Sequence, residues 1–274
     1  MNGRRTRAAL AQNFFRRHGT VKAFVRLAGL VSSDLVYDLG AGSGMITREL
    51  AATGARVIAV ECDPSLAKIL RRRFDGMPNI EVCESNVAHV QFGEPFKVVA
   101  NIPFNQTAAI LRRLYFDGPS PCEAFIVLQR EAAEKFAGIG RNSAVSLMLR
   151  PWFDFRIVQE FHAHEFIPRP HVAVVLLHIV RRHDRLLPES DQQCWHAFIR
   201  YALRRSKADA RTTFRNVLSN LQWRYLSRDL GLGVDARLDA LRLEDWIKIY
   251  AFIRLSVPPR KVRLVFETNV VSAD

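Results

Sequence analysis

A glycine-rich loop early in the chain could bind a ligand that contains a nucleoside. The segment VYDLGAGSG, residues 36–44, follows an apolar run and precedes a helical pattern. Gly40, Gly42 and Gly44 permit a tight turn and a close approach of the ligand to the backbone. An acid about 20 positions on, at the end of the next strand, could accept hydrogen bonds from both ribose hydroxyls, and Glu61 occupies that place. This order of motifs favours a nucleoside-containing cofactor over a turn that serves packing alone.

The same loop indicates the charge of the ligand. Dinucleotide sites commonly show G-x-G-x-x-G, with the helix N-terminus facing a pyrophosphate, but here the last glycine comes one residue early. The first strand ends in an acid, Asp38, which would repel a pyrophosphate and attract a cation. S-adenosyl-L-methionine carries both a sulfonium and an ammonium group. The loop therefore predicts S-adenosyl-L-methionine as the cofactor.

A second motif, Asn101-Ile102-Pro103-Phe104, ends a later predicted strand. An adenine 6-amino group is a poor nucleophile because its lone pair is delocalised, and two acceptors against its protons would favour the nucleophilic form. The Asn101 side-chain oxygen and the Ile102 carbonyl could be those acceptors. Pro103 would fix the turn, and Phe104 would stack on a base held out of its helix. In isolation the motif is more typical of a strand-ending turn with a buried Phe.

The elements that must position these motifs alternate between short apolar runs and helical patterns. After a first helix over 20–28, strands are predicted at 35–39, 56–60, 80–82, 97–100 and 124–128, and helices at 45–52, 66–74 and 107–115. Such alternation predicts an α/β fold with a mostly parallel sheet covered on both faces. Two further β-rich runs, 155–162 and 172–180, lack a helix-length connector, which predicts an antiparallel hairpin at the sheet edge.

The last third of the chain has a helical pattern. Helices are predicted over 191–203, 208–221 and 243–255, and the region is rich in arginine. We therefore predict a catalytic domain over 1–181, a small all-helical domain over 182–258, and a tail of unassigned structure over 259–274.

The charge balance indicates a polyanionic partner. The 274 residues include 40 Lys and Arg against 27 Asp and Glu, a formal net charge of +13. Such an excess destabilises a compact chain by self-repulsion, and the planar fork of arginine suits phosphate. The charge therefore favours nucleic acid as the partner. Arginines on ordinary solvated faces are the alternative.

The sequence gives little support for a membrane protein, a metal-binding protein or a secreted protein. The longest apolar run, 172–180, falls far short of the ~20 residues that span a bilayer. The four cysteines are scattered singly and the histidines show no metal-ligand spacing, so we expect reduced thiols and no metal. A segment with the pattern of a signal peptide is missing at the N-terminus, and a cytoplasmic protein is expected.

The order of the motifs resembles the rRNA adenine dimethyltransferases, which include the Erm enzymes of 23S rRNA and the KsgA-type enzymes of small-subunit rRNA. The resemblance runs from about Ala11 to Leu255. It rests on the motifs Gln12-Asn13-Phe14, Asp38–Gly44, Glu61-Cys62-Asp63, Asn101–Phe104 and Phe166-x-Pro168-x-Pro170-x-Val172. The basic N-terminal arm, the run VLLHIVRR at 175–182 and the segment LEDWIKIY at 243–250 resemble Erm more than KsgA.

The resemblance implies a Rossmann-like class I methyltransferase fold, a monomer, and a set of site residues. Phe166 would face Phe104 across a flipped adenine, and Asn13 would close over the methionine end of the cofactor. Methylation would take place on naked or precursor rRNA, and the product would block macrolide, lincosamide and streptogramin B binding. The implied cofactor contacts are Gln12, Asn13, Phe15, Asp38, Gly40, Gly42, Glu61, Asn86 and Asn101.

Two residues depart from the pattern of the family. Asn86 stands where an Asp usually accepts a hydrogen bond from the cofactor adenine, and one acceptor oxygen replaces two charged ones. Phe104 stands where Tyr is commoner, which keeps the stacking and loses a hydroxyl. We expect cofactor binding to survive the first change but to weaken.

RNA contacts are expected from two basic clusters that lie far apart in the sequence. One is in the N-terminal arm and the other in the helical domain. The predicted residues are Arg4, Arg5, Arg7, Arg16 and Arg17 in the arm, and Arg200, Arg204, Arg205, Lys207, Arg211 and Arg215 in the helical domain.

Three alternatives to an Erm-type enzyme stay open at this stage. The first is a KsgA-type methyltransferase, and the second is a DNA adenine methyltransferase, for which the sequence shows no distinct target-recognition domain. The third is an RNA-binding factor that keeps the fold without the activity, to which Asn86 lends slight support.

Overall fold

The computed structural model describes residues 13–204, 209–233 and 236–266. The chain forms two compact units, one made of residues up to 134 together with 153–181, the other of 135–152 together with the chain from 182 onward. The sequence analysis places 135–152 in the catalytic domain, whereas in the structure this segment clusters with the helical unit.

The first unit is built on a seven-stranded sheet. Strands of a sheet that is covered on both faces form continuous apolar runs, which are easy to recognise in a sequence. The strands of this sheet occur in the order β4-β3-β2-β5-β6-β9-β7, and β2 to β6 pair in parallel. A separate two-stranded ribbon pairs β1 with β8. The strands are β1 (Phe14–Phe15), β2 (Leu35–Leu39), β3 (Arg56–Glu61), β4 (Ile80–Glu84), β5 (Lys97–Asn101), β6 (Glu123–Gln129), β7 (Phe153–Phe161), β8 (Phe166–Ile167) and β9 (Val174–Arg181).

The predicted antiparallel hairpin is confirmed. β9 pairs antiparallel with both β6 and β7, and β7 forms the edge of the sheet. Exposed and half-buried residues alternate along β7, as expected for a strand with one solvated face. The strand ends at Phe161, so His162, the last residue of the predicted run 155–162, is the N-cap of the short 3-10 turn Ala163–Glu165.

Helices connect the strands of the first unit. They are α1 (His18–Leu27), α2 (Met45–Ala51), α3 (Pro64–Arg73), α4 (Thr107–Tyr115) and α5 (Arg130–Ala137). The sequence analysis missed α5, whose last residues belong to the segment that clusters with the second unit. In α3, Asp63 is the N-cap and accepts hydrogen bonds from the backbone N–H groups of Ser65 and Leu66. Pro64 occupies the first helical turn, where its missing N–H costs nothing.

The core of the first unit lies between the sheet and α1 and α2. Val36, Val57, Val99 and Val127 come from four neighbouring strands and have no exposed surface. Burial of a valine or leucine side chain stabilises the fold by about 1.5–3 kcal/mol. This core holds the carboxyl ends of β2, β3 and β5 in one row.

The second unit has an aromatic core. Its helices are α6 (Ala144–Leu149), α7 (Gln192–Leu203), α8 (Ala210–Phe214), α9 (Asn220–Asp229), α10 (Leu243–Ser256) and α11 (Pro259–Phe266). Phe198 packs against Phe214, Trp246 and Tyr250. The Trp195 indole N–H donates to the Leu147 carbonyl oxygen at 2.8 Å, which ties the segment 135–152 to this unit.

In the helical region one prediction is wrong, and the structure assigns a helix to a segment that the sequence left open. The single helix predicted over 208–221 is two helices, α8 and α9, because Ser219 caps a new helix by accepting from the Gln222 backbone N–H. The tail predicted from 259 contains α11, which packs Phe266 against Tyr250 with ring centroids 5.8 Å apart.

Candidate active site

The carboxyl ends of β2, β3 and β5 meet at the point where the strand order reverses. β2 lies between β3 and β5, and the strand order runs from it through β3 and β4 on one side and through β5 and β6 on the other. Open α/β sheets bind ligands at such a switch point. Asp38, Glu61 and Asn101 all lie at this edge, because each is the last or next-to-last residue of its strand.

The glycine loop has the backbone that the sequence analysis predicted. Gly40, Gly42 and Gly44 have φ angles of +73°, +56° and +81°, which side chains with a Cβ rarely adopt. A Cβ on Gly42 would lie 2.6 Å from Cε1 of Phe14, and one on Gly44 would lie 2.7 Å from Cδ2 of Leu70. Glycine is therefore required at these positions both by conformation and by space.

Glu61 connects the loop to the end of β3. Its carboxylate is 1% exposed; Oε2 accepts from the Gly42 backbone N–H at 2.8 Å and Oε1 accepts from the Asp63 backbone N–H at 2.9 Å. A carboxylate offers about four acceptor positions, so two remain for a ligand. The arrangement suits the two hydroxyls of a ribose.

Asp38 is a buried acid with one unpaired oxygen. Oδ2 accepts from the Thr47 hydroxyl at 2.7 Å, while Oδ1 has no hydrogen-bond partner among the described residues. Burial, helped by the nearby Glu61 charge and opposed by the Thr47 hydrogen bonds, raises the pKa of Asp38 to about 7. A cation placed near Oδ1 would lower this pKa and compensate the buried charge. Thr47 itself carried no signal in the sequence beyond its place in a helix.

Asn101 has a fixed amide orientation. Its Nδ2 donates to the Asn13 carbonyl oxygen at 2.7 Å, and its Oδ1 is buried without a partner among the described residues. An unsatisfied buried acceptor costs about 1–3 kcal/mol. A ligand N–H that reached Oδ1 would remove this cost.

The three residues after Asn101 form a turn at the sheet edge. The Ile102 backbone N–H donates to the Val127 carbonyl oxygen at 3.3 Å, and Pro103 lies against Gly40. Phe104 is half-buried and begins a short 3-10 turn over Phe104–Gln106. This leaves part of the Phe104 ring accessible to a ligand.

The N-terminal segment passes over the glycine loop. Phe14 and Phe15 pair with Ile167 and Phe166, and the Arg16 backbone N–H donates to the Glu165 carbonyl oxygen at 2.8 Å. The Asn13 side chain donates to the Pro168 carbonyl oxygen at 3.3 Å. Asn13 and Phe15 are therefore brought to the predicted site, as the resemblance implies.

Phe166 lies elsewhere than expected. Its ring has no exposed surface and packs on Phe15 at a centroid distance of 4.6 Å, with Phe161 at 5.9 Å. In this conformation an adenine cannot stack on it opposite Phe104. Core packing explains the position, because Phe166 belongs to the main apolar cluster of the unit.

Two clefts share Gly40 and Pro103 as a common wall. The first has a volume of about 430 Å³ to its open mouth and is lined by Asn13, Phe14, Phe15, Gly40, Ala41, Ser43, Met45, Ile46, Asn101, Ile102 and Pro103. The second measures about 310 Å³ and is lined by Gly40, Val60, Glu61, Cys62, Ser85, Asn86, Val87, Pro103, Gln106 and Ile110. The sequence analysis did not foresee Ser43, Met45, Cys62, Gln106 or Ile110, whose residue types carry no distinct signal.

Comparison with known proteins identifies the family. The profile described as "Ribosomal RNA adenine dimethylase" matches residues 3–255, which is most of the chain. The chain belongs to this family. It is therefore a methyltransferase with the Rossmann-like fold that the resemblance implied.

Relatives within the dimethylase family include both of its bacterial branches. An rRNA adenine N-6-methyltransferase of Bacteroides fragilis is 30% identical over 265 residues, covering 93% of this chain and 98% of its own. A ribosomal RNA small subunit methyltransferase A of a Synechococcus strain is 30% identical over 239 residues, covering 83% of each. The crystal structure of the 23S rRNA methyltransferase ErmE superposes with a TM-score of 0.79 at 27% identity, over 88% of this chain and 100% of that one. These similarities support the Erm branch, with the KsgA type second.

The basic residues predicted to bind RNA are only partly within the described residues. Arg16, Arg17, Arg200, Arg204, Arg211 and Arg215 are exposed. Gln12, Arg4, Arg5, Arg7, Arg205 and Lys207 lie outside the described residues. In the second unit, the exposed arginines of this set lie on or at the ends of α7 and α8.

The described residues contain neither a metal-binding cluster nor a membrane-spanning helix. Within residues 13–204, 209–233 and 236–266, three or more His, Cys, Asp or Glu side chains do not come together in a way that could hold a metal ion. Over the same part of the chain, every helix is too short or too polar to cross a bilayer.

Proposed function

We propose that this dimethylase-family protein transfers a methyl group from S-adenosyl-L-methionine to the 6-amino group of a flipped adenine in 23S rRNA. The observation that carries the proposal is Asn101, whose Oδ1 is buried, unpaired among the described residues and held at the wall of the cleft. The product would block binding of macrolide, lincosamide and streptogramin B antibiotics.

The site fits S-adenosyl-L-methionine by the chemistry of its donors and acceptors. Glu61 would hold the ribose hydroxyls, Asp38 would compensate the positive charge of the ligand, and Gly40 and Gly42 would admit it close to the backbone. When bound, the cofactor supplies a methyl group that is electrophilic because it is attached to a sulfonium.

Asn101 and Ile102 would activate the target amine. The Asn101 Oδ1 and the Ile102 carbonyl oxygen would accept hydrogen bonds from the two N–H groups of the adenine, which localises the nitrogen lone pair toward the methyl group. Phe104 would stack on the base outside its helix. The amine proton becomes acidic only after methyl transfer, so a separate general base is not required.

Ribosomal RNA would bind through exposed arginines of the arm and of the second unit. Each phosphate contact contributes in a salt-dependent way because condensed counterions are released. Because the proposed substrate is naked or precursor rRNA, the proposed site of action is the cytoplasm, and the proposed working form is a monomer.

The test is methyl transfer from labelled S-adenosyl-L-methionine to protein-free 23S rRNA and, separately, to 30S subunits, with primer extension to locate the modified base. Transfer to an adenine at the macrolide site of 23S rRNA is expected, and Asn101→Ala should slow it about a hundredfold. Transfer confined to 30S subunits would instead establish the KsgA type, which the Synechococcus relative favours. RNA binding without transfer to either substrate would establish a non-catalytic RNA-binding factor.

A further inference from the structure

Asn86 uses its only side-chain acceptor to cap a turn. It lies two residues after β4, at the start of the 3-10 turn Val87–His89, and its Oδ1 accepts from the Ala88 backbone N–H at 2.9 Å. A backbone N–H can only donate, so the amide oxygen must face it. The Asn86 amide is therefore oriented by the turn and not by a ligand.

The second cleft offers apolar walls next to the proposed ribose site. Val60, Val87, Pro103 and Ile110 give it apolar walls, and Glu61 lies at the end of the adjacent strand. Parallel pairing of β3 with β4 places the segment that follows β4 beside the Glu61 carboxylate. A nucleoside held by Glu61 would thus direct its base toward Asn86.

We infer that Asn86 offers the cofactor base a hydrogen-bond donor, its Nδ2 group. The cofactor site therefore discriminates only weakly between 6-amino and 6-oxo purines. The inference rests on the proposed cofactor. Adenine presents a donor at its 6-amino group, which cannot pair with an N–H of Asn86. Hypoxanthine presents an acceptor at its 6-oxo group, which can.

An aspartate at this position would behave differently. One carboxylate oxygen would cap Ala88 and the other would accept from the adenine 6-amino group, so both donors would be satisfied. With asparagine the single oxygen must serve either the turn or the base. Rotation of the amide toward an adenine would leave the Ala88 N–H facing another donor. The same carboxylate would repel the oxygen of hypoxanthine.

The experiment measures binding of S-adenosylhomocysteine and S-inosylhomocysteine by isothermal titration calorimetry, with no RNA and no turnover. We expect Asn86→Asp to bind the adenosyl ligand about tenfold more tightly, the size of one hydrogen bond to a charged acceptor. The ratio of adenosyl to inosyl affinity should rise by at least the same factor.

Two control variants separate this effect from others. Asn220→Asp adds the same charge at an exposed position of the second unit and should leave both affinities unchanged. Gln106→Leu removes the other side-chain amide on the cleft wall and should leave the ratio of affinities unchanged if Asn86 sets it. A ratio that moves with Gln106 and not with Asn86 would overturn the inference.

The remaining outcomes are also decisive. If the wild-type protein binds the adenosyl ligand but Asn86→Asp binds neither more tightly nor more selectively, this inference fails and the proposed function stands. If the wild-type protein binds neither ligand, the proposed cofactor fails and the inference fails with it.

Discussion

At the scale of single residues, the candidate site is marked by two buried oxygens that lack partners among the described residues, Asp38 Oδ1 and Asn101 Oδ1. Most buried polar groups in folded proteins are hydrogen-bonded. Each unpaired oxygen costs about 1–3 kcal/mol, and a ligand that supplies a donor recovers this cost. The two oxygens therefore predict different donors, a cation at Asp38 and an amine at Asn101.

Replacing Asn101 tests its role in transfer. We expect Asn101→Ala to slow single-turnover methylation of 23S rRNA on the order of a hundredfold, since one polar contact to the reacting group is lost. Binding of S-adenosylhomocysteine should change by only a few-fold. Asn105→Ala, an exposed position in the following turn, is the matched control and should keep the wild-type rate. An equal loss of cofactor binding and of rate in Asn101→Ala would contradict a role in the chemical step.

The raised pKa of Asp38 predicts a pH dependence of cofactor binding. Below about pH 7 the buried carboxyl is protonated, and an ammonium group must displace that proton. The Kd of S-adenosylhomocysteine should therefore rise as the pH falls from 8 to 6, approaching tenfold per pH unit below the pKa. Methylthioadenosine, which lacks the ammonium group, should show a flat profile in the same titration. Asp38→Asn should bind more weakly and lose the dependence.

Asp38 also affects stability, with a definite sign. Its pKa in the folded state lies above its ordinary value, so it stabilises the fold at low pH, and this contribution is lost as the pH rises to about 7. Rising pH therefore strengthens cofactor binding and lowers the stability of the ligand-free fold through the same group.

At the scale of elements, the ribbon of β1 and β8 connects the N-terminal segment to the chemistry. Glu165 is its anchor, since one oxygen accepts from the Thr20 hydroxyl and the other from the His162 backbone N–H, both at 2.8 Å. Its carbonyl oxygen accepts from Arg16. The Asn13 carbonyl that holds the Asn101 amide belongs to the segment entering this ribbon.

Removal of the Glu165 side chain should loosen the N-terminal segment that enters the ribbon. We expect Glu165→Ala to speed tryptic cleavage after the exposed Arg16 and Arg17 severalfold, as followed by mass spectrometry. Thr20→Val, which removes only one of the two contacts of the Glu165 side chain, should have a smaller effect. Cleavage after Arg72 in α3 serves as the internal reference. Equal acceleration at Arg72 would indicate general destabilisation and would contradict local anchoring.

At the scale of the whole molecule, the net charge of +13 is the excess of cations that carboxylates of the chain cannot balance, and it favours a polyanionic partner. Exposed arginines occur both at the start of the first unit and along the second. Each phosphate contact contributes about 0.7–0.9 to the slope of log affinity against log salt.

The N-terminal arginines give a test of this interface. Replacing Arg4, Arg5 and Arg7 together with serine should weaken binding to 23S rRNA and lower the salt slope by about 2, as measured by fluorescence anisotropy at several salt concentrations. The matched control replaces three arginines that pair with carboxylates, Arg56, Arg112 and Arg237, and removes the same charge. A slope that falls equally in both variants, or in neither, would remove the arm from the interface.

Local patterns in the sequence determined much of the first unit. The glycine loop, Glu61 at the end of β3 and Asn101 at the end of β5 follow from spacing, because parallel strands bring their carboxyl ends to one edge. The strand positions were predicted closely for the same reason, since strands buried on both faces form apolar runs that are readable from the chain alone. Family membership followed from these motifs in order.

The tertiary structure decided what depends on contacts between residues distant in sequence. The orientation of the Asn101 amide is set by Asn13, 88 positions away. The burial of Phe166 depends on Phe15, and the placement of 135–152 depends on Trp195. Such choices rest on long-range packing and hydrogen bonding, whose free energy is spread over many partners and leaves no period or spacing in the chain. The sequence by itself therefore determined the type and order of the chemical groups, and the packed fold decided which of their atoms are free to act.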